Sequence, residues 1–584
     1  MRNRTTRFGK LAFLLSAFVM AGMAEGCAAG AGDAPSRGKR PDKADPGSET
    51  GVPSDDDGQT PRPPSNLPTP GDFDDPGGMP SDETASDDPR DCEEAEREGS
   101  YVGCDFWPTV VANGVWSIFD FAVVVANAGE KPADIRVERN GELIATATVA
   151  PSSLEKIYLP WVPSLKGPDI DPCGSAPPLS HSVRADGGAY HLTSSSPVTV
   201  YQFNALQYKG QGGPAGKSWS ECPGNQICRN AGAPIGCYSF TNDASLLLPT
   251  PALTGNYRIT TMRGSRNMGG YFTITATEDD TRVTVQVGKG GRIVEGGQGG
   301  RIPATGPGEV LELTMNRGDV VELVSAIGNA AELSGSLVQA TKPIQIIGGV
   351  PCVAVPTDAM DRPYTCDHVE ESVFPVETWG KHYVVTVPTG PNGTPVHHAV
   401  RLVGNRDGTT LTYPGGAPEN APTTIDAGQV LEFNATQDFE IEGDHEFVVA
   451  SVLPSGQLLD PGAKPGSEKG DPSFSLAASV EQYRTKYVFL APDDYDVSYA
   501  DLVMPLDAQV TLDGEPLQIT PKPVGSGEFG VARVKLGAGR DGAHILESDK
   551  PVGMQVIGYG SYTSYQYPGG LNLKRIAEPP PPIR

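Results

Sequence analysis

The stretch 352–371 reads CVAVPTDAMDRPYTCDHVEE and gathers side chains that could do chemistry. Asp358, Asp361, Asp367, His368, Glu370 and Glu371 fall within fourteen residues. A hydrolytic metal centre needs two or three such ligands converging on one ion, and calcium asks for regularly spaced oxygen ligands. Asp358, Asp361 and Asp367 are the metal candidates, but no fixed metal spacing joins them. The expected state is therefore a surface loop closed by Cys352 and Cys366, with its acids in solvent and no metal bound.

Other signals for chemistry are sparse. There is no G-x-S-x-G elbow, H-E-x-x-H pair, phosphate loop or dinucleotide fingerprint. GKGGRIVEGGQGG at 288–300 follows a strand pattern and opens no helix, so it reads as a hairpin loop. Tyr562, Tyr565 and Tyr567 in GYGSYTSYQYPGG are the binding candidates: tyrosine with glycine makes adaptable recognition loops, although aromatics also cap ordinary edge strands. Trp107, Trp116 and Trp161 are expected to fill a core. The reading is a non-enzyme with no catalytic residue and no cofactor.

The elements that would position these residues are strands, and they recur. SSPVTVYQF at 195–203 returns as TKPIQIIGG at 341–349 and as SDKPVGMQVIGYG at 548–560. Proline has no N–H and a fixed φ, which predicts a strand start at Pro197, Pro343 and Pro551. Behind each, Val198/Val200, Ile344/Ile346 and Val552/Met554 alternate onto one buried face. Phe447/Val449 repeat the pattern without the proline. The flanking text repeats as well, giving four units, the last three roughly a hundred residues apart, the size of a sandwich domain. The expected fold is all-β, with about four repeated sandwich-like units; a propeller-like ring of the repeats is the alternative.

The chain of 584 residues carries a net charge of −27. Over 28–100 there are 19 acids against 7 bases and few aliphatic residues, so nearly half of that charge sits in one stretch. Such a segment cannot bury enough apolar area to offset its ordering entropy, and it reads as a disordered tether spanning roughly 50 Å. No basic stripe exists to neutralise phosphates, which argues against a nucleic-acid partner.

The first residues carry Arg2, Arg4, Arg7 and Lys10, then an apolar run over 11–23, too short to span a bilayer. The run ends in AEGC, which resembles a bacterial lipoprotein box with Cys27 acylated; Ala28 after it resembles outer-membrane sorting. Ordinary secretion, with cleavage near residues 28–31, is the alternative. Eight further cysteines, Cys92, Cys104, Cys173, Cys222, Cys228, Cys237, Cys352 and Cys366, suit four disulfides in an oxidising compartment. A Cys352–Cys366 bond would close a loop worth about 3 kcal/mol. The pairing of Cys222, Cys228 and Cys237 is open. The expected boundaries are a signal at 1–27, the tether at 28–100, units at 101–245 (with the Cys-rich insert), 246–352, 353–478 and 479–576, and a Pro-rich tail at 577–584.

YSFTNDASLLLPTPALTGNYRI, CDHVEESVFPVETWGKHYVVT and FSLAASVEQYRTKYVFLAPDDYD resemble bacterial secreted proteins carrying the N-terminal domain of the IgGFc-binding protein family. The resemblance covers about 101–571 and is firmest from Tyr238. It implies an extracellular binding or adhesive role, supplies no catalytic residue, and does not imply Fc binding by this chain. The expectation is a lipid-anchored surface protein, on the outer membrane or cell surface, that binds an extracellular protein or glycan and meets the membrane through its N-terminal lipid. A structural spacer without a ligand is the second hypothesis, and a metal-dependent extracellular hydrolase the third.

Overall fold

In the computed structural model the described residues are 88–583, apart from 176–178, 230–231, 265–267, 297–300, 328–330, 358–363, 465 and 540–541. Cys27, residues 28–87 and the candidates Asp358 and Asp361 lie outside them. The described residues form 31 strands and three short α-helices, an all-β fold with four units of one design.

Each unit is built on one long spine. The spines are His191–Phe203, Leu337–Val353 and Ala543–Gly560; in the third unit the spine is broken into Phe439–Gly443 and Phe447–Val452. The front half of each spine pairs with a short strand: Ala133–Arg139, Thr281–Gln286, Thr409–Thr412 or Val510–Leu512. The rear half pairs with a different one: Phe121–Asn127, Tyr271–Ala276, His398–Gly404 or Val497–Pro505. One spine thus serves two sheets, which fold over an apolar core between them. Val123 and Val198 lie in the first core, Ile274 and Ile346 in the second, and Leu402 and Val449 in the third.

The repeated phrase marks the bend of the spine, which corrects the expected strand start. Pro197, Pro343 and Pro551 lie inside continuous strands. At each, the register against the unit's first strand slips: the partner jumps between Thr193 and Val198, Gln339 and Ile344, and Glu547 and Val552. A residue without an N–H loses no ladder bond where the strand leaves one sheet for the other. The four residue pairs behind the bends are all buried, at 4 % exposure or less.

After each spine the chain turns back as a closing strand: Ala244–Leu247, Asp367–Ser372, Phe474–Leu476 and Thr563–Pro568. The closing strand of the second unit packs against those of the first and third, and that of the fourth does likewise, so the four strands meet in a closed ring. Apolar side chains from all four, Leu246, Val369, Phe474 and Tyr567, share one core with the fourth unit's Leu502 and Met554.

The closing strand Asp367–Ser372 pairs with the second unit's spine although it lies beyond the expected limit at 352, and three further features cross the boundaries drawn from sequence. Cys92–Glu98, inside the expected tether, is a helix capped by Asp91, ended by Gly99 at φ 63° and bonded through Cys92–Cys104. Val183–Ala185, from the first unit, pairs with Val320–Val324 and completes a sheet of the second. The Pro-rich tail lies on the second unit, where the Ile583 N–H donates to Gln339 Oε1 at 2.7 Å.

Candidate functional site

The acids expected in solvent sit at the centre of the ring. Asp367, His368, Glu370 and Glu371 are all 0 % exposed, because they belong to a closing strand covered on both faces. The Cys352–Cys366 bond forms, but it leads into that strand rather than holding the acids outside. The other cysteines pair as Cys92–Cys104, Cys173–Cys228 and Cys222–Cys237.

At the meeting point lies Asp243, which belongs to no chemical motif in the sequence. Its Oδ1 accepts the N–H of Ala244 at 3.0 Å and of Gln566 at 3.3 Å. Its Oδ2 accepts the N–H of Glu370 at 3.2 Å and of Phe474 at 3.3 Å. These four donors come from the four closing strands, and they are equivalent positions. Ala244, Glu370, Phe474 and Gln566 pair with Phe203, Gly349, Val452 and Ile557. Those four are the sixth residues after Pro197, Pro343, Glu446 and Pro551. One carboxylate therefore ties the four repeats together at corresponding points.

The neighbouring acids are also satisfied from other units. Glu370 Oε1 accepts from Gln202 Nε2 and Ser245 Oγ, each at 3.0 Å, and Oε2 accepts from Asn204 Nδ2 at 3.1 Å. Glu371 Oε2 accepts from Ser475 Oγ at 3.1 Å. Asp367 Oδ2 accepts from Thr563 Oγ1 at 2.9 Å. Burial pushes Asp243, Asp367 and Glu371 well above the usual carboxylate range; the N–H donors on Asp243 oppose that shift. Closed to solvent and already bonded, this cluster fixes the ring and presents no group to a substrate.

Tyr565 and Tyr567 are fully buried as well, which corrects their reading as a recognition loop. They stack on each other, Tyr567 lies 4.8 Å from Tyr201, and Tyr565 meets Tyr495 edge-on at 4.8 Å. Burying an aromatic ring this way stabilises the core, and the Tyr565 hydroxyl finds its partner in Ser498 Oγ at 2.9 Å. Tyr562 alone stays partly exposed, donating to Glu468 Oε2 at 2.6 Å. Trp107 and Trp116 are buried and Trp161 is half-buried.

Two open grooves lie at the surface among the described residues. One, about 670 Å³, lies in the third unit between turns 414–420 and 436–439 and is lined by Phe433, Asn434 and Asp438. The other, about 340 Å³, lies between the first and fourth units, with Lys156, Tyr158 and Gln207 facing Asp493 and Asp494. Sequence patterning could not find either, since each is formed by turns that only folding brings together.

Residues 243–558, more than half of the chain, match the family described as IgGFc binding protein. The chain belongs to this family. The match opens at the axial Asp243 and takes in the second and third units and most of the fourth. The human IgGFc-binding protein is 28 % identical over 330 residues, which are 56 % of this chain and 6 % of that protein. The chain thus spans a small fraction of that relative's length. An anti-sigma factor domain-containing protein from Clostridium clariflavum aligns over 54 % of this chain and 82 % of its own, at 12 % identity and a TM-score of 0.11, too low to bear on the fold.

Proposed function

We propose that this IgGFc-binding family member is an exported, non-enzymatic binding protein. A lipid on Cys27 would hold it at the outer membrane or cell surface, and the acidic segment before the ring would lift the four units away from the bilayer. Four disulfides suit the oxidising side of a membrane. The observation that carries the reading is where the reactive side chains are spent. The buried acids and the tyrosines Tyr565 and Tyr567 close the ring, and what faces solvent is a rigid frame with polar, aromatic-edged grooves. That is the architecture of a binding surface rather than of a catalytic pocket. The ligand class is an extracellular protein or glycan.

The test is capture from envelope and glycoprotein extracts with residues 88–583, which keep the Cys92–Cys104 bond and the tail. Binding that is saturable and competed by free ligand supports the proposal. A fully folded preparation that retains nothing from protein or glycan libraries favours the structural spacer, and metal-dependent turnover of any polymer favours the hydrolase.

A further inference from the structure

A group suited to a metal ion lies outside the ring's centre, on the third unit. Strands His382–Val385 and Phe439–Gly443 run antiparallel, with His382 directly opposite Glu442. Glu440, two residues before Glu442, projects to the same face. The result brings an imidazole and two carboxylates together, with one ligand atom from each within 4.8 Å of the others. His382 Nε2 lies 2.7 Å from Glu440 Oε1 and 4.0 Å from Glu442 Oε1.

The three residues differ in burial in a way that fits a site. The Glu440 side chain is 1 % exposed, yet its only ion-pair partner among the described residues is His382, which carries charge only when protonated. A buried carboxylate needs a compensating charge, and among the described residues no lysine or arginine provides one. Its second oxygen is fixed from behind: the Ser526 N–H donates to Oε2 at 2.6 Å, which aims Oε1 at His382. Gly525, at φ +58°, makes that approach possible, since a Cβ there would meet Glu440 Oε2 at 2.0 Å. The His382 ring is held edge-on by Phe529 at 5.9 Å. Glu442, with its side chain 49 % exposed, is free to swing in from solvent.

We propose that His382 Nε2, Glu440 and Glu442 bind a zinc-class divalent cation, with water at the open position. Nitrogen with two carboxylates suits zinc over calcium or magnesium, which take oxygen alone. Bonds of about 2.0–2.2 Å set tetrahedral ligands about 3.3–3.6 Å apart, so the His382–Glu440 pair, 2.7 Å apart, opens by roughly 0.6–0.9 Å while Glu442 closes on His382 from 4.0 Å by roughly 0.4–0.7 Å. Entry of the ion replaces the His382–Glu440 hydrogen bond, and a proton carried on Nε2 would leave to solvent. The Ser526 N–H and Phe529 act as outer supports, holding carboxylate and ring in the liganding orientation. The axial acids offer no such site, because their oxygens already accept donors from neighbouring strands.

The test titrates the metal-stripped full chain with zinc by calorimetry, with cobalt(II) absorption reporting the coordination. The expected result is one ion per chain with a dissociation constant of about 10 µM or tighter. His382→Ala and Glu442→Ala should each weaken it roughly tenfold or more. Glu442→Ala removes a half-exposed side chain and keeps the fold, so its effect reads the site even if His382→Ala is unstable. Three results overturn the proposal: no saturable binding in the parent, equal affinity in the folded Glu442→Ala variant, or a preference for calcium over zinc.

Discussion

Replacing Asp243 by alanine tests whether one carboxylate holds the four units in register. The substitution leaves the N–H groups of Ala244, Glu370, Phe474 and Gln566 without their acceptor, at a point where Asp243 is 0 % exposed. A buried donor left unsatisfied costs about 1–3 kcal/mol, and a water admitted to the vacated space returns part of that. Four donors therefore put the expected loss at about 3–5 kcal/mol. Asp243→Asn separates hydrogen bonding from mere volume. Its carbonyl still accepts two of the N–H groups, while its amide opposes the other two in either orientation, so about half the loss should remain. Urea denaturation of the full chain, followed by far-ultraviolet circular dichroism and by intrinsic fluorescence, measures both variants. Coincident curves are required before a free energy is extracted, because a four-unit chain need not unfold in one step. Glu142→Ala, in an exposed strand, is the control and should stay within about 0.5 kcal/mol of the parent. A loss below about 1 kcal/mol for Asp243→Ala, or an Asp243→Asn protein as stable as the parent, would refute the account of the axis.

Burial pushes the Asp501 carboxyl up to about 6 and that of Glu322 up to about 8. The folded state then holds protons that the unfolded chain releases, so this stability is complete below about pH 4 and is lost as the pH rises through 6 and 8. The thermal midpoint should accordingly be higher at pH 5 than at pH 9, and the opposite order would contradict the assignment. Ile346→Asp places an unpaired charge in a core position 1 % exposed and should cost several kcal/mol or abolish soluble expression, whereas Ile227→Asp, at a site 70 % exposed, should be silent. Mass spectrometry of the mature N-terminus should find Cys27 carrying acyl chains, and an unmodified start near Ala28 would remove the lipid anchor from the proposed function.

Much of the fold was legible because alternation reports burial directly. Val198/Val200, Ile344/Ile346, Phe447/Val449 and Val552/Met554 each mark a face, and the structure buries all of them. The centre was not legible, for a related reason. A closing strand is covered on both sides, as the six buried residues of Asp367–Ser372 show, so polar and apolar side chains no longer sort into wet and dry faces. Glu370, Glu371 and Tyr565 then look like surface residues when read alone. Only partners from other units, such as Gln202, Ser475 and Phe203, reveal otherwise. Val183–Ala185 escaped for want of length: three residues carry no period, and their place in the second unit's sheet is set by packing.

The spacing within the repeat explains why a proline phrase recurs at such distance. Four N–H groups reach Asp243 together only if every closing strand has the same phase relative to the bend of its own spine. Six residues separate Pro197 from Phe203, Pro343 from Gly349 and Pro551 from Ile557, and the same six separate Glu446 from Val452 in the unit without a proline. There the spine breaks at 444–446, so the bend is made by an interruption and no donor needs to be removed. The first unit lies almost wholly before the family match at 243–558, yet its spine keeps the same count and the residue just before its closing strand is Asp243 itself. A slip of one residue would turn Ile346 out of its core onto the opposite face, now held by Gln345 and Ile347, and carry Gly349 off the axis, because successive side chains point to opposite faces. The distance from bend to axis, rather than the proline that usually marks it, is therefore what the four repeats must share.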